Sequence, residues 1–209
     1  MTRVIVIRHG NSVNNALRRN TGHADVPLSP QGRKEAECLA DYLVANEHID
    51  AIYASDLIRA VDTVKPTADR LGLSVITERD LRETDVGAWT NMVYEDALAL
   101  YPEIREKRRS DPTCPCPEGE SNAAVFARVS AVLARLLDKH RSGTIVIATH
   151  AFPVRVIEAI ATGHTVFDME KRIVIPNASI RIYTAENGVL APAGEPIVSH
   201  LQSLAVGES

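Results

Sequence analysis

The sequence is poor in aromatic residues, in cysteine and in long apolar runs. Aromatic side chains make up 4% of the 209 residues, so Ala, Val, Ile and Leu must build the core. Three cysteines are an odd number and cannot form a complete disulfide framework. No apolar run approaches the roughly 18 residues that span a bilayer, and no secretory signal precedes the first predicted strand. These absences favour a cytoplasmic globular protein that does not act in a membrane.

Net charge and chain length limit further which class of protein this can be. A formal net charge of -4 argues against a protein that binds DNA or RNA without regard to the base sequence. The length fits one domain over residues 1–209, since domains run to roughly 100–200 residues, and we expect an unstructured tail from about residue 203. Cys114 and Cys116 have no second cysteine pair to complete a zinc site. We therefore expect no metal and no other cofactor. The sequence does not decide between a monomer and a homodimer.

Two apolar segments, each leading into a histidine, are the strongest pattern in the chain. Residues 4–7 run into Arg8, His9 and Gly10, and residues 144–149 run into His150. Such segments are typical of strands buried on both faces of a parallel sheet. In open α/β sheets ligands bind beyond the carboxyl ends of the strands. The pattern therefore predicts a ligand site at these two strand ends.

Strand-like and helix-like segments alternate along the chain. This alternation predicts an α/β fold with a mainly parallel sheet covered by helices on both faces. Further strands are predicted over residues 49–54, 73–77, 173–175 and 180–183. Helices are predicted over residues 13–19, 30–44, 57–71, 93–101, 121–137 and 153–160. Asp56 is expected to cap the helix over residues 57–71, and Pro66 predicts a kink or a break in it.

The charged side chains at the strand ends indicate a phosphate site. Arg8, His9, Arg59 and His150 would repel one another unless an anion lies among them. Arginine binds phosphate through a planar fork of donors, and neutral imidazole is a competent nucleophile. A leaving alkoxide also needs a proton, for which the candidate acids are Glu83, Asp25 and Asp85. At this point only the fold can choose among the three carboxylates.

Several motifs, in order along residues 3–183, together resemble the histidine phosphatase superfamily, the phosphoglycerate mutase-like proteins. The motifs are Arg8-His9-Gly10 with Asn15, Asp25-Val26-Pro27-Leu28-Ser29 with Gly32, Ser55-Asp56-Leu57-Ile58-Arg59-Ala60 with Thr63, Leu81-Arg82-Glu83 with Gly87 and Trp89, Gly119-Glu120-Ser121 with Arg128, His150, and Pro176-Asn177-Ala178-Ser179. One Arg-His-Gly motif alone would be weak evidence. The resemblance implies a three-layer α/β/α sandwich around a mostly parallel sheet, a small phosphorylated substrate and no metal.

The resemblance also implies a role for each matching residue. His9 corresponds to the nucleophile that becomes phosphohistidine, and Glu83 to the acid that protonates the leaving group. Arg8, Arg59 and His150 correspond to the remaining members of the phosphate pocket. The residues expected to contact the substrate are Arg8, Asn15, Thr21, Gly22, Arg59 and His150.

The sequence departs from the usual pattern of the family in four places, and the first two of these put substrate choice in doubt. Asn11 replaces the usual Glu or Gln, Asn14 the usual Trp, Thr90-Asn91 the usual Glu-Gly, and Ala151 the usual Gly after the second histidine. None of these changes removes a catalytic group.

Three functions remain open. The preferred interpretation is a phosphatase of small phosphomonoesters, because the short interval between Glu83 and the helix before His150 resembles the phosphatase branch. The alternatives are a phosphoglycerate mutase, favoured by the loop at Thr21 and Gly22, and a non-catalytic phosphate-binding protein. Arg108 and Arg109 are interpreted as a solvated helix end, with a second anionic group of the substrate as the alternative.

Overall fold

A six-stranded sheet lies at the centre of the molecule. The structure, a computed structural model, describes residues 1–169 and 174–205. The strands are β1 (Thr2–Arg8), β2 (Ala51–Ala54), β3 (Val75–Thr77), β4 (Gly143–Thr149), β5 (Ile180–Glu186) and β6 (Val189–Pro192). The helices are α1 (Val13–Ala16), α2 (Pro30–Asn46), α3 (Ile58–Leu71), α4 (Tyr94–Leu100), α5 (Pro102–Ser110), α6 (Asn122–Lys139), α7 (Ala151–Ala161) and α8 (Gln202–Ala205). The described helices include none that is both long and apolar enough to cross a membrane.

The strand order is β3-β2-β4-β1-β5-β6, and the first four of these strands are parallel. Strand β5 runs antiparallel to β1, and β6 runs antiparallel to β5. The predicted, mostly parallel sheet is confirmed, while β6 is an additional edge strand. Strands β1 and β4 are neighbours, with Arg8 opposite Thr149. The residues that follow these two strands, His9 and His150, are therefore placed side by side.

Alternating residues of the strands pack against opposite helical layers. Val4 and Val6 belong to one core with residues of α6 and α7. Ile5 and Ile7 belong to the other core with residues of α2 and α3. Because consecutive strand side chains point to opposite faces, a strand that is apolar throughout needs cover on both sides. The predicted three-layer α/β/α sandwich is confirmed.

The ends of several helices follow from local sequence signals. The Ser29 hydroxyl accepts the Gly32 N–H at 3.1 Å, with Pro30 at the first position of α2. The Ser121 hydroxyl accepts the Ala124 N–H at 3.1 Å at the start of α6. Gly72 ends α3 with a left-handed φ of 67°. These caps place the helices where the sequence predicts them.

The start of α3 differs from the prediction. Asp56 does not cap this helix; its carboxylate binds the Arg82 guanidinium through two hydrogen bonds of 2.7 Å. The Asp25 carboxylate, from a distant loop, accepts the Ile58 N–H at 2.7 Å instead. The break considered at Pro66 does not occur, since α3 continues through it to Leu71.

Three other segments differ from expectation. Helix α1 ends at Ala16 rather than at residue 19, because Arg18 adopts a left-handed φ of 54°. Helix α5 was not assigned from the sequence, and none of its residues is buried, so it lacks an apolar periodicity. Val174 and Ile175 lie outside any strand, and Ile173 lies outside the described residues. Of the tail expected to be unstructured, residues 203–205 belong to α8, and residues 206–209 are not described.

Gly32 lies in the first turn of α2, directly against the loop that follows β1. A Cβ atom at this position would lie 2.0 Å from the Asn11 carbonyl oxygen and 2.8 Å from its carbonyl carbon. Both are backbone atoms and cannot rotate away. The close approach of α2 to this loop therefore requires glycine.

We predict that Gly32→Ala destabilises the protein although alanine normally favours a helix by about 1 kcal/mol over glycine. The clash with the Asn11 backbone should lower the free energy of unfolding by about 1–3 kcal/mol. Urea denaturation measures this change. The matched control is Lys34→Ala, an exposed position of the same helix, with an expected change within about 0.5 kcal/mol. A Gly32→Ala protein as stable as the wild type would contradict the prediction.

Candidate active site

The loop after β1 holds His9 in a fixed orientation. The His9 N–H donates to the Thr149 carbonyl at 2.8 Å, and its carbonyl accepts the Asn177 side-chain N–H at 2.9 Å. The Gly10 N–H donates to the Thr63 hydroxyl at 2.8 Å. The His9 ring nitrogen Nδ1 lies 2.7 Å from the Gly10 carbonyl oxygen and must carry the proton to bond with it. The remaining nitrogen, Nε2, then has a lone pair available for chemistry.

His150 lies beside His9 at the end of β4. It is the N-terminal flanking residue of α7 and is completely buried. The two imidazole rings meet edge to face, with centroids 5.0 Å apart. Neither ring nitrogen of His150 has a hydrogen-bond partner among the described residues.

Both histidines are held in the neutral form. Burial lowers the pKa of His9 well below its usual value, and the Arg59 and Arg8 guanidinium groups lower it further. Burial and Arg59 have the same effect on the pKa of His150, followed by His9. A neutral His9 keeps the lone pair on Nε2 at neutral pH, which a nucleophile requires.

Backbone carbonyls orient the Arg59 guanidinium. Arg59 has no exposed surface, and its Nη1 and Nη2 groups each donate at 2.8 Å, to the carbonyls of Ala24 and Gly22. Burial lowers the pKa of Arg59 to about 10, and the nearby Glu83 carboxylate opposes this lowering. The Nη1 group of Arg8 donates to the Ile175 carbonyl. Both guanidinium groups are thus fixed by main-chain atoms rather than by carboxylate partners.

Unpartnered donors converge in this part of the molecule. The Nε groups of Arg8 and Arg59 are buried and, among the described residues, have no hydrogen-bond partner; the same holds for both His150 nitrogens. A buried polar group without a partner costs about 1–3 kcal/mol, so each one calls for an explanation such as a catalytic role or a bound ion. A tetrahedral oxyanion offers several acceptor oxygens. The arrangement fits a phosphoryl group beside His9.

Among the three candidate acids, Glu83 is the one that the fold brings to the histidines. Its carboxylate accepts the Thr84 N–H at 2.9 Å and faces the Phe152 N–H at 3.3 Å, in the first turn of the helix that follows His150. Asp25 instead caps α3. Asp85 accepts the Gly87 N–H at 3.0 Å. Glu83 is therefore the candidate acid that this geometry favours.

The other predicted contact residues lie close by but bind the protein itself. The Asn15 side-chain oxygen accepts the Ser12 N–H at 3.1 Å and the Asn177 amide at 3.2 Å, so it supports the residue that holds the His9 carbonyl. Gly22 contributes its carbonyl to Arg59, and the Thr21 carbonyl accepts the Ala24 N–H at 3.0 Å in the same turn. In this structure these three residues support the residues of the site through hydrogen bonds within the protein.

Arg108 and Arg109 take structural positions. Arg108 donates to the carbonyls of Cys114 and Glu120 at 2.8 and 3.1 Å, and it lies over the Trp89 ring. Arg109 is exposed and lies 3.5 Å from Glu106. The interpretation of a solvated helix end holds for Arg109, whereas Arg108 ties a loop together.

Two of the residues that depart from the family pattern form a hydrogen bond with each other. The Asn14 amide donates to the Asn91 side-chain oxygen at 2.9 Å, and Asn91 adopts a left-handed φ of 64° that asparagine tolerates well. The Asn11 side chain accepts the Ser29 hydroxyl at 2.8 Å. Asn14 and Asn91 thus replace two residues of the family pattern by one hydrogen-bonded pair.

Sequence reasoning missed several residues that support the site. Thr63 and Asn177 appeared only as motif members, and Glu35, whose carboxylate accepts the Asn11 N–H at 2.7 Å, did not appear at all. His23 also supports the site, since its Nε2 lies 2.8 Å from the Glu83 carbonyl oxygen. A polar residue on an otherwise apolar helix face, as with Glu35 beside Ala36 and Leu39, is the signal that was available. No group of three or more potential metal ligands occurs among the described residues.

Several known proteins are similar to this chain in sequence and in fold. The model of the histidine phosphatase superfamily (branch 1) matches residues 4–192. Phosphoglycerate mutase-like protein 4 of Arabidopsis thaliana is 37% identical over 156 residues, 73% of this chain and 67% of that protein. Phosphoserine phosphatase 1 of Hydrogenobacter thermophilus is 34% identical over 164 residues, 78% of this chain and 77% of that protein. The mycobacterial glucosyl-3-phosphoglycerate phosphatase, solved with VO3, has a TM-score of 0.83 at 28% identity, covering 91% of this chain and 96% of that chain.

The family match and the geometry concern the same part of the chain. The matched residues run from β1, which leads into His9, to β6, and they include both histidines, the buried Arg59 and the partly buried Arg8. The solved phosphatase shares the fold over nearly its whole length. The resemblance predicted from the motifs is thereby confirmed, and the chain belongs to the histidine phosphatase superfamily.

Proposed function

We propose that this protein is a cytoplasmic phosphomonoesterase that hydrolyses small phosphorylated metabolites through a phosphohistidine at His9, without a metal ion or other cofactor. The observation that carries the proposal is the convergence of neutral His9 and His150 with the unpartnered Nε groups of Arg8 and Arg59. Phosphoryl transfer depends almost entirely on positioning and on charge stabilisation. This site supplies both with fixed side chains.

In the first step, the His9 Nε2 lone pair attacks phosphorus and the bond to the leaving oxygen breaks. The ring becomes positively charged, and the Gly10 carbonyl, 2.7 Å from Nδ1, stabilises that charge through its hydrogen bond. Arg8, Arg59 and His150 donate hydrogen bonds to the phosphoryl oxygens. Glu83, in its protonated form, gives its proton to the leaving alkoxide.

In the second step, water attacks the phosphohistidine. The Glu83 carboxylate takes a proton from this water, the phosphorus–nitrogen bond breaks, and His9 regains its neutral form. Inorganic phosphate then leaves the site. Glu83 finishes the cycle protonated, as it began, so protons balance over the two steps.

A phosphoglycerate mutase is the second candidate, favoured by the relative named phosphoglycerate mutase-like protein 4. A mutase must exclude water from the phosphohistidine and pass the phosphoryl group to a second hydroxyl. The interval between Glu83 and α6, which the structure describes throughout, contains the short helices α4 and α5, a 3₁₀ turn over Gly87–Trp89 and the loop that Arg108 holds, and no long insertion of the kind that would close over the site. Two relatives named as phosphatases also support hydrolysis.

We predict that His9→Ala lowers phosphate release by several powers of ten, because covalent catalysis is lost. The test is a phosphate-release screen over phosphorylated sugars, glycerates, nucleotides and phosphoserine, run with both proteins. Quenching the wild type in alkaline SDS during turnover with substrate radiolabelled in its phosphoryl group should trap a phosphoprotein that is lost on later acid treatment and that His9→Ala does not form. A variant with near-normal activity would refute the assignment of His9. A matched control is His48→Ala, since His48 is exposed and distant in sequence from every site residue.

We predict that hydrolysis exceeds phosphoryl exchange. Interconversion of 2- and 3-phosphoglycerate should be negligible beside phosphate release, with or without 2,3-bisphosphoglycerate. A coupled mutase assay on the same preparation measures the ratio. Mutase turnover well above the hydrolysis rate would make the second candidate correct and would leave the assigned roles of the residues unchanged.

We predict that the neutral histidines make the protein sensitive to mild acid. The unfolded chain takes up protons on these rings near pH 6.5, whereas the folded chain resists protonation until lower pH. The stability they contribute is therefore present above pH 6.5 and is lost as pH falls below it, by up to about 1.4 kcal/mol per pH unit for each ring. Urea denaturation without phosphate should show a shallower pH dependence for His150→Asn than for the wild type. His48→Asn, whose ring lies in solvent, should follow the wild type, and parallel curves for all three proteins would contradict the prediction.

A further inference from the structure

Arg128 of α6 uses its whole guanidinium group on the segment that carries Glu83. Its Nη1 donates to the Asp80 and Arg82 carbonyls at 2.8 and 2.7 Å, and its Nη2 donates to the Glu83 carbonyl at 2.8 Å. The remaining donors bind the Glu120 carboxylate at 3.0 and 2.9 Å. A guanidinium group has five N–H donors, so all of them are engaged within the protein. Arg128 has none left for a substrate.

His23 holds the same carbonyl from the other side. Its Nε2 donates to the Glu83 carbonyl at 2.8 Å, and its Nδ1 lies 3.6 Å from the Asp85 carboxylate. The Glu83 carbonyl thus accepts two hydrogen bonds, one from α6 and one from the loop that also orients Arg59. A carbonyl oxygen has two lone pairs, so this one is fully used.

The segment is also tied to the strand that delivers the second histidine. The Thr149 hydroxyl donates to the Leu81 carbonyl at 2.6 Å, and Thr149 directly precedes His150. Consecutive carbonyls from residue 80 to residue 83 are therefore each bound by a side chain of another element. Residue 83 lies in a loop without helix or strand geometry, and these hydrogen bonds to other elements fix the main chain of that loop.

These bonds set where the Glu83 carboxylate can reach. Its main chain is anchored to α6 by Arg128, and its carboxylate meets the Thr84 N–H at 2.9 Å and the Phe152 N–H at 3.3 Å at the start of α7. The side chain spans the distance between two fixed points. A shift of about 1 Å in a reacting group can cost about 10²-fold in rate, so the anchor at the main chain matters for proton transfer.

We infer that Arg128 is the positioning residue of the general acid. It holds the carbonyls of residues 80, 82 and 83 so that Glu83 meets the leaving oxygen, and His23 assists it. Arg128 does not touch the substrate or the phosphoryl group. The inference rests on the proposed function, in which Glu83 protonates the leaving group.

The test compares leaving groups. Arg128→Lys keeps the positive charge but loses the planar fork that reaches three carbonyls. For alkyl monophosphates, whose leaving oxygen needs a proton, we expect kcat/KM to fall about 10²-fold; kcat/KM reports formation of the phosphohistidine and excludes its later hydrolysis, in which Glu83 also acts. For p-nitrophenyl phosphate, whose leaving group needs little help, the loss should be less than about 10-fold. The vanadate inhibition constant should not change, because the phosphate pocket is untouched.

A double-mutant cycle with Glu83→Gln separates positioning from general damage. If Arg128 acts through Glu83, Arg128→Lys should reduce the alkyl phosphate rate little further in the Glu83→Gln protein. Arg135→Lys is the matched control, since Arg135 lies on the same helix and binds Glu78 at the surface at 2.8 Å. It should leave the ratio of the two substrate rates unchanged.

Equal losses on both substrates, full additivity with Glu83→Gln, or weaker vanadate binding would each overturn the inference. If Arg128→Lys does not fold, as judged by thermal melting, His23→Gln takes its place. It should show the same bias against alkyl phosphates with a smaller loss, and the absence of that bias would also overturn the inference. A wild-type protein that releases no phosphate from any monoester would refute the proposed function itself, whereas an active wild type with unbiased variants would refute only the role of Arg128.

Discussion

Burial of the Arg59 guanidinium among backbone carbonyls is the interaction on which the rest of the site depends. Two main-chain oxygens, from Gly22 and Ala24, hold a group that has no exposed surface. The turn that supplies them ends in Asp25, which caps the helix on which Arg59 lies. Because carbonyls are dipoles and not charges, they orient the arginine without neutralising it. Its positive charge remains available to lower the pKa of both histidines.

A site built from buried polar groups lowers the free energy of unfolding of the protein. Neutral imidazoles, unpartnered arginine nitrogens and a carboxylate occupy a volume that could hold an apolar core. The surrounding elements compensate with dense hydrogen bonding: Thr63, Asn177, Glu35 and Arg128 each bind the main chain of a site loop. The proposed catalytic groups are thus fixed from their backbone side, while the Nε groups of Arg8 and Arg59 and the ring nitrogens of His150 have no partner among the described residues.

The sequence predicted the sheet, its layers and the placement of Arg8, His9 and His150 at strand ends because each of these has a local signature, whereas Arg59 and Glu83 were singled out by the resemblance to the family. Val4 to Ile7 form a continuous apolar run, and His9 and His150 follow such runs directly. Features that depend on residues distant in the chain were not predicted. Asp25 rather than Asp56 caps α3, and the carbonyls bound by Arg128 lie 45 to 48 residues away in sequence. Helix α5 has no buried residue and therefore no periodicity to detect.

The position of β1 inside the sheet has a consequence for folding. It precedes every other described strand along the chain, yet both of its neighbours, β4 and β5, lie in the last third of the given sequence. Its apolar side chains and unpaired main-chain groups must wait until most of the polypeptide has emerged, and such long-range parallel pairing is slow. During translation this segment is therefore a candidate for chaperone binding or for misassembly with another nascent chain. A truncated chain that stops before β4 would contain His9, the proposed nucleophile, but not the Thr149 carbonyl that accepts its N–H.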